Sequence, residues 1–117
     1  MKFHGIIDYV GPLKQRPSKY ADGGNEVYAE VVIKGVGARE DFSILCDCLH
    51  EPAQALRKRW EASNGRIPHC AVFDVKLAVQ RANGTATEPV LRQRATLTSY
   101  AFVQPSDPES YQPKNNQ

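Results

Sequence analysis

Cationic side chains and an aromatic ring share the long polar connection from Leu13 to Asn25. The candidates in it are Lys14, Arg16, Lys19 and Tyr20. A second group of cations flanks a later turn-rich segment and consists of Arg81, Arg92 and Arg94. Lysine and arginine neutralise phosphates, and bases stack on aromatic rings, so this combination is typical of a surface for single-stranded nucleic acid.

Four further residues extend this set. They are Tyr28, Lys34, Arg39 and Tyr100. Lys34 and Arg39 flank a glycine-containing break, while the two tyrosines occupy the polar parity of apolar–polar alternating segments. Any one of these residues taken alone is more typical of a solvated charge or a partly buried ring than of a binding site. The whole set favours binding, because both connecting segments carry a cationic excess.

A second constellation is Cys46-x-Cys48-x-His50, with His69 and Cys70 further along the chain. Tetrahedral zinc takes four cysteine or histidine ligands, and either His69 or Cys70 would supply the fourth. However, zinc-binding cysteine pairs usually have two or more residues between them, and alternate cysteines in a strand are commonly small buried hydrophobes. We therefore expect no metal and no other cofactor.

Catalytic groups give a weaker pattern. Asp8, Asp47 and Asp74 lie in apolar alternating segments, and His4 is the histidine that could approach them. No glycine-rich phosphate loop, nucleophile elbow or H-E-x-x-H pattern is present. A single aspartate in a strand is usually paired or solvated, so the sequence predicts a protein that is not an enzyme.

These residues must be positioned by a central β-hairpin over residues 25–49. Val27, Ala29, Val31 and Ile33 share one parity, and Phe42, Ile44, Cys46 and Cys48 repeat the pattern after the break. In a pleated strand, alternate side chains point to opposite faces, so one face is expected in the core and the other in solvent.

Four more elements flank the hairpin. The sequence predicts strands over Lys2–Val10, His69–Arg81 and Leu91–Val103, and an amphipathic helix over Pro52–Ser63 in which Trp60 belongs to the core. Gly5 inside the first strand indicates a bulge or a bend. The resulting order, β-β-β-α-β-β, predicts a mainly β fold, the five-stranded Greek-key OB-fold barrel with one helix between strands three and four. In that barrel a groove crosses strands two and three between the 1–2 and 4–5 loops.

Composition sets the outer limits. The chain has 117 residues, a formal net charge of +2, 41% hydrophobic and 24% charged residues. These values are typical of one globular domain, which we place at residues 1–104, followed by a mobile tail at residues 105–117. No apolar run reaches the length of a membrane span, and the three cysteines are typical of reduced thiols. We expect a cytoplasmic protein that does not enter a membrane.

Over residues 2–104 the chain resembles OB-fold single-stranded-DNA-binding proteins. The resemblance rests on element order, the segment Phe3-His4-Gly5-Ile6 and the closing segment Tyr100–Val103. The segment at residues 42–48, leading into an Ala/Leu/Arg-rich helix, is similar to small single-strand-binding-like replication proteins of conjugative elements, plasmids and phages. Cellular single-strand binders end in an acidic tip that recruits partners, whereas this chain ends Lys114-Asn115-Asn116-Gln117.

The resemblance implies sequence-tolerant binding of single-stranded DNA, or of RNA, in replication, recombination or DNA transfer. The alternative is a protein-interaction module of a replication or conjugation assembly, docking by strand addition at an open edge. A homodimer or homotetramer is expected in either case, because pairing hides unpaired edge groups. The nucleic-acid hypothesis requires the segments around residues 14–19 and 81–94 to be neighbours in the fold.

Overall fold

The structure, a computed structural model, describes residues 1–18, 22–37, 42–84 and 89–102. The described residues form six β-strands and one α-helix, with a 3-10 turn at Asp22–Gly24. In chain order the elements are β1 (Lys2–Val10), β2 (Lys14–Pro17), β3 (Asn25–Gly35), β4 (Ser43–Leu49), α1 (His50–Ala62), β5 (Ile67–Gly84) and β6 (Pro89–Phe102). The short strand β2 lies within the predicted polar connection, and β5 is longer than predicted at both ends. The predicted tail lies outside the described residues.

The strand pairings close a ring. β1 pairs antiparallel with both β3 and β5, β3 with β4, and β5 with β6. β4 and β6 complete the ring through a parallel pairing at Asp47 and Thr96. With the helix between β4 and β5, this confirms the predicted mainly β, five-stranded Greek-key OB-fold. β2 pairs with β3 and forms the outer edge of the sheet.

The central hairpin has the predicted faces except at Phe42, which was predicted to face inward and is 36% exposed. Ala29, Val31, Ile33, Cys46 and Cys48 are all buried to within 1% of full burial. They pack with residues of β1, β5 and β6, of which Phe73 and Val75 are fully buried. Apolar and polar residues therefore alternate along β3 and β4 because one face of the sheet is buried in a single apolar core.

The alternation of β6 changes at a bulge. Asp74 pairs with Ser99 and Val75 pairs with Leu97, so Thr98 is an extra residue on β6. An extra residue reverses which parity faces the core. Leu97 is buried before the bulge and Tyr100 after it, at 4% exposure. Tyr100, which has the polar parity in the sequence, therefore faces the core because it lies beyond the bulge.

Gly5 marks a close approach between strands. It pairs with Gly35 of β3, and a side chain at Gly5 would place its Cβ 2.8 Å from the backbone oxygen of Lys34. The irregularity in the β1–β3 pairing falls at Asp8, between Ile7 and Tyr9, and the one in the β1–β5 pairing falls between Ile6 and Ile7. Gly5 is thus needed for interstrand contact and does not itself form the predicted bulge.

The helix α1 packs on the barrel through Ala53 and Leu56, which are buried, and through the half-buried Trp60. It begins at His50, two residues before the predicted start, and Pro52 falls in its first turn, where proline is tolerated. Nη1 of Arg57 donates a 2.8 Å hydrogen bond to the carbonyl of Val10, which ties the helix to β1. In the described part of the chain, no helix is long and apolar enough to cross a membrane.

Candidate nucleic-acid interface

The outer face of β3 and β4 consists of four cross-strand pairs. They are Tyr28–Leu49, Glu30–Asp47, Val32–Leu45 and Lys34–Ser43. These side chains are half-buried or exposed, because the intervening residues of both strands point into the core. In an OB-fold this face is where single-stranded ligands are held.

Asp47 is the meeting point of the two cationic segments. Its Oδ2 accepts a 3.0 Å hydrogen bond from Nη1 of Arg16, which lies on β2. The same oxygen accepts hydrogen bonds from Nη2 of Arg94 at 3.1 Å and from Nε of Arg94 at 3.2 Å. Arg94 lies on β6 and belongs to the second cationic group. The structure therefore brings one arginine from each group to the Asp47 side chain on β4.

Arg16 is held at three points. Its Nε donates a 2.6 Å hydrogen bond to Oε2 of Glu26, in addition to the bond with Asp47. Its guanidinium carbon lies 4.3 Å from the centre of the Tyr28 ring, within range of a cation–π interaction. Tyr28 is therefore on the predicted face, but the guanidinium of Arg16 covers one side of its ring.

Carboxylates offset most of the positive charge on this face. Lys14 forms an ion pair with Glu30, alongside the pairs that Arg16 makes with Glu26 and that both arginines make with Asp47. Among the described residues, four cations (Lys14, Arg16, Lys34 and Arg94) thus share the face with three carboxylates. The binding surface predicted from the sequence included the cations but not the acids that pair with them.

The pKa shifts follow from this packing. Burial raises the pKa of Asp47, and the charge of Arg16 opposes that rise without reversing it. Burial lowers the pKa of Arg16, but its hydrogen bond with Glu26 and the charge of Asp47 outweigh burial, so the pKa is raised overall. The hydrogen bond and charge of Glu30 raise the pKa of Lys14. Both cations therefore stay charged at neutral pH.

The remaining predicted residues divide into four groups. Lys34 is exposed near the end of β3, as a phosphate contact requires. Lys19, Tyr20 and Arg39 lie outside the described residues, and Arg81 and Arg92 are described only as paired backbone positions of β5 and β6. The prediction that Tyr100 is a stacking ring is wrong: the bulge at Thr98 turns Tyr100 into the core, where its ring centroid lies 6.4 Å from that of Phe73.

A groove of mixed polarity lies beside Leu45 and was not predicted. It has a volume of about 310 Å³ and lies between the start of β4 and the β5–β6 hairpin, with Phe42, Leu45 and Leu77 among its lining residues. Leu45 is 58% exposed and alternates along β4 with Asp47. In the sequence, Leu45 has the parity of the outward-facing residues of β4. This parity could have identified Leu45 as part of the outer face.

Of the cysteines in the metal hypothesis, Cys46 and Cys48 lie in the core and Cys70 is half-buried. Burial raises the pKa of the Cys46 and Cys48 thiols to about 12. The Cys46 thiol lies 3.5 Å from the carbonyl of Val31, whereas His50 is exposed at the helix start. Within the described ranges, no group of three or more His, Cys, Asp or Glu side chains is arranged to hold a metal ion.

Two of the three candidate catalytic aspartates form ion pairs. Asp47 belongs to the arginine network, and Oδ1 of Asp74 lies 3.3 Å from the amino group of Met1. Asp8 and His4 are exposed.

No family model and no curated protein matches this chain. The geometry of Arg16, Asp47 and Arg94 is therefore the main evidence for a function.

Proposed function

We propose that this protein binds single-stranded DNA, or RNA, without sequence preference across the outer face of β3 and β4. The observation that supports the proposal most is the contact of both Arg16 and Arg94 with Asp47. These arginines come from the two sides of the face that OB-fold proteins use for ligands. The cellular process that we propose is replication, recombination or transfer of DNA in a phage or mobile element, as the sequence resemblance implies.

Phosphate oxygens would replace the carboxylates around the arginines. A guanidinium has five N–H donors in a planar fork, which suits a phosphate as well as a carboxylate. The ion pairs here are partly exposed, and such pairs contribute little to stability, so exchanging them costs little. Binding would release counterions from the nucleic acid, which supplies much of the affinity.

Bases would contact the less polar residues of the same face. Tyr28 offers a ring, while Val32 and Leu45 form an adjacent apolar pair. Base–aromatic stacking does not depend on base identity, because every base has a π face. The proposal is therefore of binding with low sequence specificity, with no bond made or broken and no metal or cofactor required.

The test is titration of a fluorescein-labelled oligo-dT of about 20 nucleotides, longer than the ~4–16 nucleotides that one OB-fold covers. The variant is Lys14→Glu with Arg94→Glu, which reverses one charge on each side of the face. The matched control is Lys58→Glu with Arg59→Glu on α1, which makes the same change in net charge away from the face. We expect about tenfold or greater weakening for the first pair and less than about twofold for the second.

Circular dichroism would show whether both variants are folded. Unchanged affinity in the first variant would remove the face from the proposal. Equal weakening in both variants would indicate attraction to net charge without a defined site.

A protein-interaction module is the second candidate, and the edge position of β2 favours it. In the described sheet, β2 pairs with β3 and ends the strand order, so its other side is an edge to which a partner strand can add. The same edge could join two copies of this chain in a homodimer or homotetramer. Pull-down of a partner that survives nuclease treatment, with no oligo-dT binding at low salt, would favour this function over the first.

A further inference from the structure

A second groove lies between helix α1 and the end of the barrel. Its volume is about 330 Å³. The helix contributes one stripe of residues: Ala55, Lys58, Arg59 and Ala62. The barrel side contributes Ile67, Tyr100 and Phe102, and Leu56 also lines the groove. It shares no lining residue with the candidate nucleic-acid interface.

The groove has an apolar interior and a cationic rim. Leu56, Ile67 and Tyr100 are buried, so the apolar surface continues into the core. Lys58 and Arg59 are exposed, and among the described residues no carboxylate lines the groove. Ala55 and Ala62, one helical turn to either side of these cations, have short side chains and leave space beside the helix.

The two cations differ from their neighbour Arg57. Arg57 forms an ion pair with Glu61 at 2.8 Å and also bonds the carbonyl of Val10, so its charge is used within the fold. Lys58 and Arg59, in contrast, form no side-chain ion pair with any residue in the part of the chain that the structure describes. Two unpaired cations beside an apolar groove are complementary to a ligand that has both carboxylates and an apolar side chain.

We infer that this groove binds an acidic peptide segment of a partner protein, anchored by one large apolar side chain. The anchor enters the groove against Leu56, Ile67 and Phe102, and flanking carboxylates contact Lys58 and Arg59. A volume of about 330 Å³ is at the lower end of the range for ligand pockets, which suits one side chain rather than an extended ligand. This site is independent of the proposed nucleic-acid binding.

A peptide fits the groove better than a nucleic acid does. Single-strand binding needs open ring faces and a series of cations that follows the backbone. Here the Tyr100 ring is buried, and the described lining of the groove has two cations, Lys58 and Arg59. An apolar anchor with acidic neighbours uses both features of the groove.

The test uses fluorescence anisotropy with a short fluorescein-labelled peptide that has aspartate and glutamate on both sides of one phenylalanine. We expect saturable binding to the full chain, and about tenfold or greater loss when the phenylalanine is replaced by alanine. Lys58→Glu with Arg59→Glu should cause a similar loss, whereas Lys14→Glu with Arg94→Glu should change affinity by less than about twofold. Ala62→Trp should also abolish binding by filling the groove, without changing charge.

Four outcomes would overturn the inference. The first is no saturable binding, and the second is equal binding of the alanine peptide, which would indicate charge attraction alone. The third is displacement of the peptide by oligo-dT from the wild type and from Lys14→Glu with Arg94→Glu alike, which would assign the groove to nucleic acid. The fourth is binding that requires Asp107→Asn, Glu109→Gln and Tyr111→Ser, which would assign the groove to this chain's own acidic segment.

Discussion

At the scale of single residues, Asp47 holds two arginines of the candidate interface in place in the absence of ligand. One carboxylate oxygen accepts hydrogen bonds from two arginines of different strands, and Glu26 holds one of those arginines from a second side. The network fixes both guanidinium groups in place. It also puts negative charge where the proposed function places phosphate, so Asp47 positions the arginines and competes with the ligand at the same time.

Asp47→Asn is therefore expected to tighten the binding of oligo-dT by about threefold to tenfold, since one pair of close charges is worth ~1 kcal/mol in a partly exposed site. The amide oxygen still accepts hydrogen bonds from the arginines, but the repulsion toward phosphate is lost. Glu61→Gln, which removes a carboxylate paired with Arg57 on α1, is the matched control and should leave affinity unchanged. Weaker binding by Asp47→Asn would show that the phosphate does not replace this carboxylate.

The cysteines allow a second prediction at this scale. Iodoacetamide reacts with thiolates, and burial raises the pKa of the Cys46 and Cys48 thiols to about 12. Cys70 is only partly buried. Mass spectrometry after brief alkylation of the native protein at mild alkaline pH should therefore show modification of Cys70 first. Modification of all three at equal rates, as expected in denaturant, would mean that Cys46 and Cys48 are not in the core.

At the scale of elements, regular alternation explains what the sequence could predict. The inward parity of Ala29, Val31 and Ile33 is correct because β3 pairs with β4 along that stretch and with β1 from Val31 onward, so one face of β3 covers the core of the ring. Alternation alone failed in β6, because the bulge at Thr98 depends on pairing with β5.

Alternation also failed at Leu77 and Val79, which have the inward parity of Val75 but are 42% and 67% exposed. Their segment of β5 pairs with β6 and no longer with β1, so it extends past the barrel core.

The candidate site was predictable only in part for a similar reason. The cationic residue types and their two segments are visible in the sequence, and the OB-fold indicates that the segments are neighbours. The ion pairs of Lys14 with Glu30 and of Arg16 with Glu26 depend on the β2–β3 register, which the sequence does not give because β2 has no alternating pattern. The strand pairing in the folded protein therefore determines which cations form ion pairs with acids.

The bulge separates two tyrosines that the sequence treats alike. Tyr100→Ala should lower the free energy of unfolding by about 3–5 kcal/mol, as for other large buried aromatic side chains, because Tyr100 is in the core. Tyr28→Ala should cost less stability, since Tyr28 is half-buried, but should weaken oligo-dT binding by about 1–3 kcal/mol through loss of stacking.

Urea unfolding and anisotropy titration of both variants would measure these effects. A larger loss of stability for Tyr28→Ala than for Tyr100→Ala would contradict the assigned faces. A loss of DNA affinity in folded Tyr100→Ala alone would contradict the proposed binding surface.

At the scale of the whole molecule, two surfaces differ in whether their cations form ion pairs. On the outer face of β3 and β4, three cations (Lys14, Arg16 and Arg94) are paired with acids. The α1 groove, in contrast, carries two cations without ion pairs in the described structure. A formal net charge of +2 is too small to produce strong binding by general attraction. Any tight association with nucleic acid must therefore come from local contacts on a defined surface.

The most direct test of the central claim is the salt dependence of oligo-dT binding by the wild-type protein. Each phosphate neutralised on a single strand contributes about −0.7 to the slope of log K against log salt concentration, so four contacting cations predict a slope of about −3. We expect saturable binding at about 50 mM salt, with affinity falling along that slope to about 200 mM. No binding at low salt, or binding that does not change with salt, would contradict the account.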